Sequence, residues 1–386
     1  MTETDNFLKF CSPEIDQAAI DEAVACIKSG WLATGPRVKQ FEKNLENYLG
    51  AAHVLALNSA TSGLHLVLKC LGLQPGDEVI TTPMTFVASL NTIIHAGAKP
   101  VLVDVDLVTR NIDPNKIMEA ITTKTRAILP IHFAGIPAEL DEIYDIAKKY
   151  RLRVLEDCAH AMGSYYKNQI LGSFGDTQIF SFHPNKVMTT GEGGAVTTRD
   201  PELAKQISVQ RFHGIDREAW NRYGKEGNQN YDVIQPGYKY NMMDLQAAIG
   251  IHQLVALESF IVKRQKLVDR YNELLADWSE LTLPVLPDYD CRVSWYIYAP
   301  LINPETAQID RDTFITKMKE ENIGIGFHHH AAHLYSYYRD TFGYQRGQFP
   351  NAEIISERIF SLPLFSAMTI EEQDRTIAAM KKVFKK

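Results

Sequence analysis

Ser181-Phe182-His183-Pro184-Asn185-Lys186-Val187-Met188-Thr189-Thr190-Gly191-Glu192-Gly193-Gly194 sets a lysine between a short apolar run and a glycine-rich turn. A lysine held in an apolar pocket loses the hydration of its ammonium, so its pKa falls and the neutral amine becomes accessible near neutral pH. Such an amine can condense with an aldehyde cofactor. The same stretch also fits a plain surface lysine in a strand-turn connection, so its weight depends on its surroundings. The run before it, Thr177 to Phe182, and the run after it, Ala195 to Thr198, read as strands. Similar β-rich runs recur upstream at Val54 to Leu57, Glu78 to Thr81, Val101 to Val103, Ala127 to Ile131 and Val154 to Leu155. Helical patterns lie between them, clearest at Ser62 to Leu71 and at Glu139 to Tyr150, where Leu140, Ile143, Ile146 and Ala147 keep helical spacing. This alternation predicts an α/β fold around a mostly parallel sheet.

After Gly250 the pattern changes. A long helix is expected from about Asp244 to Ala276, followed by strand-like Val293 to Leu301, a helix from Arg311 to Glu320, strand-like Ile323 to Phe327 and a last helix from Ile370 to Phe384. The expected organisation is a large domain over residues 1–250 and a small α+β domain over 251–386, joined by the long helix.

The chain has 386 residues, 45% hydrophobic and 23% charged, which suits two domains with a core that needs no covalent staples. A net charge of −7 points away from nucleic acid or an anionic membrane surface as the principal partner. Residues Met1 to Asn6 lack the basic start and apolar core of a signal peptide, and no run approaches the roughly 18 apolar residues of a membrane span. The 5 cysteines are scattered without a Cys-x-x-Cys pair, so neither a disulfide framework nor a zinc site is expected. A reducing cytoplasm is the natural setting.

Several segments fall where strands end, the edge at which open α/β sheets bind ligands. Asn58-Ser59-Ala60-Thr61-Ser62-Gly63 follows the first strand and opens a helix. It reads either as an anion cradle at a helix N-terminus or as a plain capping segment. Asp157 closes another strand and either pairs with a protonated ring nitrogen or caps a helix. Phe86 either stacks on a flat ring or packs in the core. Ser181 offers a second hydroxyl to a phosphate. Gly237 to Gly250 reads as a subunit contact or a hinge. His328, His329, His330 and His333 have no carboxylate or cysteine at ligand spacing, so a substrate-facing loop is expected rather than a metal site.

An anion cradle, an aromatic, an acidic ring partner and a lysine, in this order, match a pyridoxal-phosphate site on a parallel sheet. With Ser29 to Pro36, Pro75 to Ile80, Glu156-Asp157, Gly237 to Gly250, Phe349 to Glu353 and Ser361 to Leu364, the chain resembles the DegT/DnrJ/EryC1/StrS sugar aminotransferases. The resemblance spans nearly the whole chain and implies the aspartate-aminotransferase-like fold, type I among pyridoxal-phosphate enzymes, with a seven-stranded sheet. It implies Lys186 as covalent cofactor anchor and proton shuttle, Asp157 on the ring nitrogen, Phe86 on one ring face and His160 near the other. Ala60, Thr61, Ser62 and Ser181 would hold the phosphate. Asn241 would reach the phosphate of a neighbouring subunit, making a homodimer with shared active sites, although Gly-Tyr-Lys-Tyr-Asn departs from the more common Gly-Tyr-Asn-Tyr-Arg. A finer likeness, to the branch with UDP-4-amino-4-deoxy-L-arabinose aminotransferases, rests on Ser181 to His183, Arg211 to Gly214 with Trp220, and His328 with His333 before Tyr337. It implies a UDP-linked 4-keto sugar, L-glutamate as donor with 2-oxoglutarate as its product, and substrate contacts from Trp31, Thr34, His183, His328 and His333. The segment 216–235 reads as a nucleotide clamp or a solvated loop. A sugar dehydratase of the same fold carries histidine where Lys186 stands, and a regulatory member would lack turnover.

Overall fold

A computed structural model describes residues 7–216 and 231–385. Trp220 and most of the 216–235 segment lie outside the described residues. The strands are β1 (His53–Leu57), β2 (Glu78–Thr81), β3 (Lys99–Leu102), β4 (Thr125–Ile128), β5 (Arg153–Asp157), β6 (Tyr165–Tyr166), β7 (Gln169–Ile170), β8 (Thr177–Ser181) and β9 (Gly194–Thr198). Seven of them form one sheet in the order β1-β9-β8-β5-β4-β2-β3. Only β9 runs against its neighbours; the other pairings from β8 to β3 are parallel. Each of the seven lies on an expected run. The sheet is buried on both faces, which is why its strands read as continuous apolar stretches rather than alternating ones.

Helices α1 (Gln17–Lys28), α2 (Pro36–Leu49), α3 (Ala60–Cys70), α4 (Val87–His95), α5 (Pro114–Ala120), α6 (Leu140–Tyr150) and α7 (Pro201–Gln210) accompany the sheet. Helix α6 shows why the pattern was legible: Leu140, Ile143, Ile146 and Ala147 are buried. Its Asp141 and Glu142 in the first turn and Lys148 and Lys149 in the last match the helix dipole.

The long helix spans Asp244–Leu275 and passes residue 250 unbroken. Its first half packs Ala247, Leu254, Leu257, Phe260 and Ile261 into the core around α2, and its second half packs Leu267, Val268, Tyr271 and Leu275 into the core of the C-terminal unit. At the handover Arg264 is buried, donating from Nη1 to the carbonyls of Trp295 (3.2 Å), Tyr296 (3.3 Å) and Leu364 (3.0 Å). Length and mean hydropathy alone would allow this helix to cross a membrane, contrary to the sequence expectation. Its buried Asp244, Gln253 and Arg264, each hydrogen-bonded inside the fold, mark it as a core helix. Asp244 also caps α2, accepting from the N–H groups of Arg37 (3.2 Å) and Val38 (3.0 Å).

In the C-terminal unit the helices Arg311–Glu320 and Ile370–Phe384 form as expected, the second with a Thr369/Glu372 capping box. The two strand-like runs differ from expectation. Val293 to Leu301 is irregular between two-residue strands, Cys291–Arg292 and Leu301–Ile302. Ile323 to Phe327 makes isolated bridges to Leu8 and Ser361. Both runs are apolar because they are buried, and burial without a continuous partner strand gives the same composition. Leu8 is threaded between these parts: its N–H donates to the Asn322 carbonyl (2.9 Å), and its carbonyl accepts from Gly324 N–H (2.8 Å).

Candidate active site

The carboxyl ends of β1, β2, β5 and β8 open on one cavity of about 360 Å³. Lys186 reaches it from the turn after β8, with Phe182, Val187 and Met188 buried around it. Its Nζ lies 4.0 Å from the centre of the Tyr296 ring. Burial lowers the Lys186 ammonium to about 7, against the opposing pull of Asp157 and Cys11. The neutral amine that the sequence suggested is therefore what the pocket favours.

This shift has a consequence for stability. Between about 7 and the ordinary 10.5, the unfolded lysine holds a proton that the folded one has released. The unfolded state thus binds more protons, and stability rises with pH across that window by up to about 1.4 kcal/mol per unit. Cofactor-free protein should show this rise in denaturant titrations, and Lys186→Met should flatten it. An unchanged slope in that variant would remove Lys186 as its source.

Asp157 ends β5 with both oxygens engaged: Ser89 Oγ donates to Oδ2 (3.0 Å) and Ala159 N–H to Oδ1 (3.1 Å). Burial pushes its carboxyl up from the usual range, opposed by those two hydrogen bonds and by the Lys186 charge. Beneath it, buried Glu156 accepts from Tyr144 (2.7 Å) and Gln178 (2.6 Å) and lies 3.0 Å from His132 Nε2. These contacts fix the strand that carries Asp157. His132, Glu156 and Cys158 come close enough to suggest a metal group, yet His132 Nδ1 already accepts from Ala138 N–H (3.0 Å).

The capping reading of the Asn58–Gly63 segment is what its hydrogen bonds show. Ser59 caps α3, accepting from Ser62 N–H (3.1 Å), while Ala60 and Thr61 line the cavity. Ser62 differs from expectation: its hydroxyl lies 2.7 Å from both Asn58 Oδ1 and the Ser59 carbonyl, either of which can accept its one proton, and it does not line the cavity. Gly194 pairs with both Leu57 and Ser181, joining the two sides of this cradle. A Cβ there would meet Ala60 N and Ser59 C at 2.5 Å, so no other residue fits.

The model of the DegT/DnrJ/EryC1/StrS aminotransferase family matches residues 13–381. The chain belongs to this family. It is 43% identical over 381 residues to the spore coat polysaccharide biosynthesis protein SpsC of Bacillus subtilis, covering 98% of each chain. It is 40% identical to the UDP-4-amino-4-deoxy-L-arabinose–oxoglutarate aminotransferase of Shewanella sediminis, covering 98% of this chain and 99% of that one. A putative sugar aminotransferase from Streptococcus pneumoniae, solved in its PMP form, superposes with a TM-score of 0.90 at 32% identity, covering 98% of this chain and 99% of that one. The same protein is also solved in its PLP form.

The cofactor of this aminotransferase is therefore pyridoxal phosphate, and the cavity fits it. Asp157 and Lys186 lie in the same cavity as the Ala60–Thr61 and Ser181 cradle, and His160 Nδ1 is buried without a partner among the described residues. Phe86 lines the cavity and is 59% exposed, as a side chain kept for a ligand rather than for the core would be. His160 packs 4.2 Å from Tyr296, and burial holds its imidazole neutral.

Of the expected substrate contacts, His183 and His328 line the cavity; Trp31, Thr34 and His333 do not. His333 is buried against Phe349 with Nε2 2.9 Å from Glu353. Trp31 donates to the Thr34 carbonyl (3.2 Å), and Thr34 donates to the Met242 carbonyl (2.5 Å). Asn241 also lies outside: its Nδ2 donates to Thr34 Oγ1 and its Oδ1 accepts from Lys239 Nζ, both at 2.5 Å. Two residues that no sequence motif marked also belong to this region, Tyr296 in the cavity lining and Ser89 on Asp157, and His329, expected only as part of a substrate-facing loop, lines the cavity too. Tyr296 and His329 come from the C-terminal unit, and no local motif announces which side of an irregular segment faces a cleft.

Proposed function

We propose that this aminotransferase moves the amino group of L-glutamate to the 4-keto carbon of a UDP-linked sugar, giving a 4-amino sugar nucleotide for a surface glycan. The observation that carries the reading is Lys186, a buried amine lowered to about 7 and facing one cavity with Asp157. Forty per cent identity over nearly the whole chain with an aminotransferase of a UDP-linked 4-amino sugar supports the nucleotide and the position of the amine.

Pyridoxal phosphate, when bound, supplies a ring that accepts the electrons left when a carbon–hydrogen bond beside the transferred nitrogen breaks. Lys186 Nζ would hold the cofactor at rest and would then take that proton and return it to the neighbouring carbon, one group serving as base and acid. Asp157 would offer its carboxyl group to the ring nitrogen. Ser181, Thr61 and the first N–H groups of α3 would orient the phosphate at the positive end of the helix. Tyr296 covers Lys186 and excludes water from its amine.

The reading includes a homodimer in the cytoplasm. The Thr34–Asn241–Lys239 cluster lies outside this chain's own cavity, which supports a role at a neighbouring one. A dehydratase is disfavoured by Lys186 itself. The test offers the pyridoxamine-phosphate enzyme a panel of UDP-, dTDP- and GDP-linked 4-keto sugars and identifies the aminated product by mass and NMR. Amination of a UDP sugar at C4 is expected, and exclusive use of dTDP or GDP sugars would overturn the nucleotide assignment.

A further inference from the structure

Two polypeptide walls face each other across the cavity, the sheet edge with Asp157 and Lys186, and a C-terminal wall with Tyr296, His328 and His329. The neighbouring histidines of the second wall are in different states. His328 is fully engaged, Nδ1 lying 3.0 Å from Ser361 Oγ and Nε2 3.3 Å from the Tyr296 hydroxyl. His329 has its Nε2 out of solvent and without a hydrogen-bond partner among the described residues. Its ring stands between Phe86 and His160, at 5.9 Å from each.

A buried ring nitrogen without a partner is unfavourable, so native folds rarely keep one without a use. Here the nitrogen borders the cavity that takes the cofactor and the substrates. We propose that His329 reads a neutral polar substituent of the acceptor sugar, a hydroxyl or an amide, and so sets specificity in the sugar half-reaction. This rests on the reading of a sugar as amino acceptor. The chemical class follows from charge. Burial, with His328 and Lys186 nearby, holds the His329 imidazole neutral, so it presents one donor and one acceptor. A hydroxyl or an amide can both donate and accept, so either meets the unpartnered Nε2 whichever tautomer the ring adopts. A carboxylate would bring in a charge that a neutral ring cannot compensate. Recognition of the amino-acid carboxylate therefore falls to other groups, and His329 separates the two half-reactions.

The test uses the intact holoenzyme and follows each half-reaction by stopped-flow absorbance, glutamate with the pyridoxal form and keto sugar with the pyridoxamine form. His329→Phe keeps the ring volume and removes both polar atoms. It should weaken apparent keto-sugar binding on the order of 10- to 100-fold while glutamate constants stay within about twofold. Calorimetric binding of the amino sugar product to the pyridoxal form should weaken by the same factor, and His329→Gln should recover part of it. Equal losses in both half-reactions would assign His329 to the cofactor or the fold and overturn the proposal. Unchanged sugar binding in His329→Phe would overturn it too. An enzyme that aminates sugars on another nucleotide fails the nucleotide reading alone, and the same comparison on that sugar still decides His329. Transfer only to carbonyl compounds that are not sugars overturns both.

Discussion

Lys186→Ala should lower turnover by at least about 10⁴-fold, the upper range for a positioned acid–base group, with the loss of the covalent anchor added to it. The variant should fold, because the deleted amine is a polar group that burial disfavours and the shortened side chain leaves Phe182, Val187 and Met188 in place. Cofactor should still bind through the cradle and Asp157, but without the absorbance band of the lysine-linked form. Both halves of that outcome matter. A variant that keeps the band, or keeps full activity, would place the nucleophile elsewhere in the cavity.

Asp157→Asn is expected to be the next largest loss. The amide has the shape of the carboxylate, so contacts with Ser89 and Ala159 can largely persist. What disappears is the negative charge opposite the ring nitrogen. Breaking a buried charge pair costs about 3–4 kcal/mol, on the order of 10²- to 10³-fold in rate. The slow step should become proton removal, visible as a larger isotope effect with glutamate deuterated at its α-carbon. Activity within tenfold of the parent would show that the ring does not depend on this carboxylate.

The sequence disclosed most of the sheet and much of the cavity lining, for one physical reason. Residues 53–198 follow a regular alternation in which each parallel strand ends at the same edge, so Ala60, Thr61, Phe86, Asp157, Ser181 and Lys186 could be placed together without coordinates. The C-terminal unit has no such rule. His328, His329 and His333 look alike in sequence, but one is locked to Ser361, one borders the cavity with an unused nitrogen, and one is paired with Glu353. Spacing does not distinguish them, because His328 and His329 lie in irregular backbone and His333 in a single 3-10 turn, Ala332–Leu334, too short to set a periodic face. Tyr296 was hidden in the same way, in a run whose apolar composition resembled a strand. Ser62 shows a smaller effect: a hydroxyl at the start of a helix can serve the cap or the ligand, and here it serves the cap.

The threading of Leu8 between Asn322 and Gly324 constrains the order of events during synthesis. Residue 8 is made long before residues 322 and 324 and must wait for them before its backbone can pair. The sheet, with Lys186 in its turn, can meanwhile assemble from strands already translated. Closing so long a loop costs only slightly more entropy than closing one half its length, since the cost grows logarithmically. Waiting is therefore a matter of time rather than of stability. A nascent chain halted before residue 322 would carry the cofactor cradle and its lysine but neither Leu8 in place nor the histidine wall, leaving the cavity open on one side.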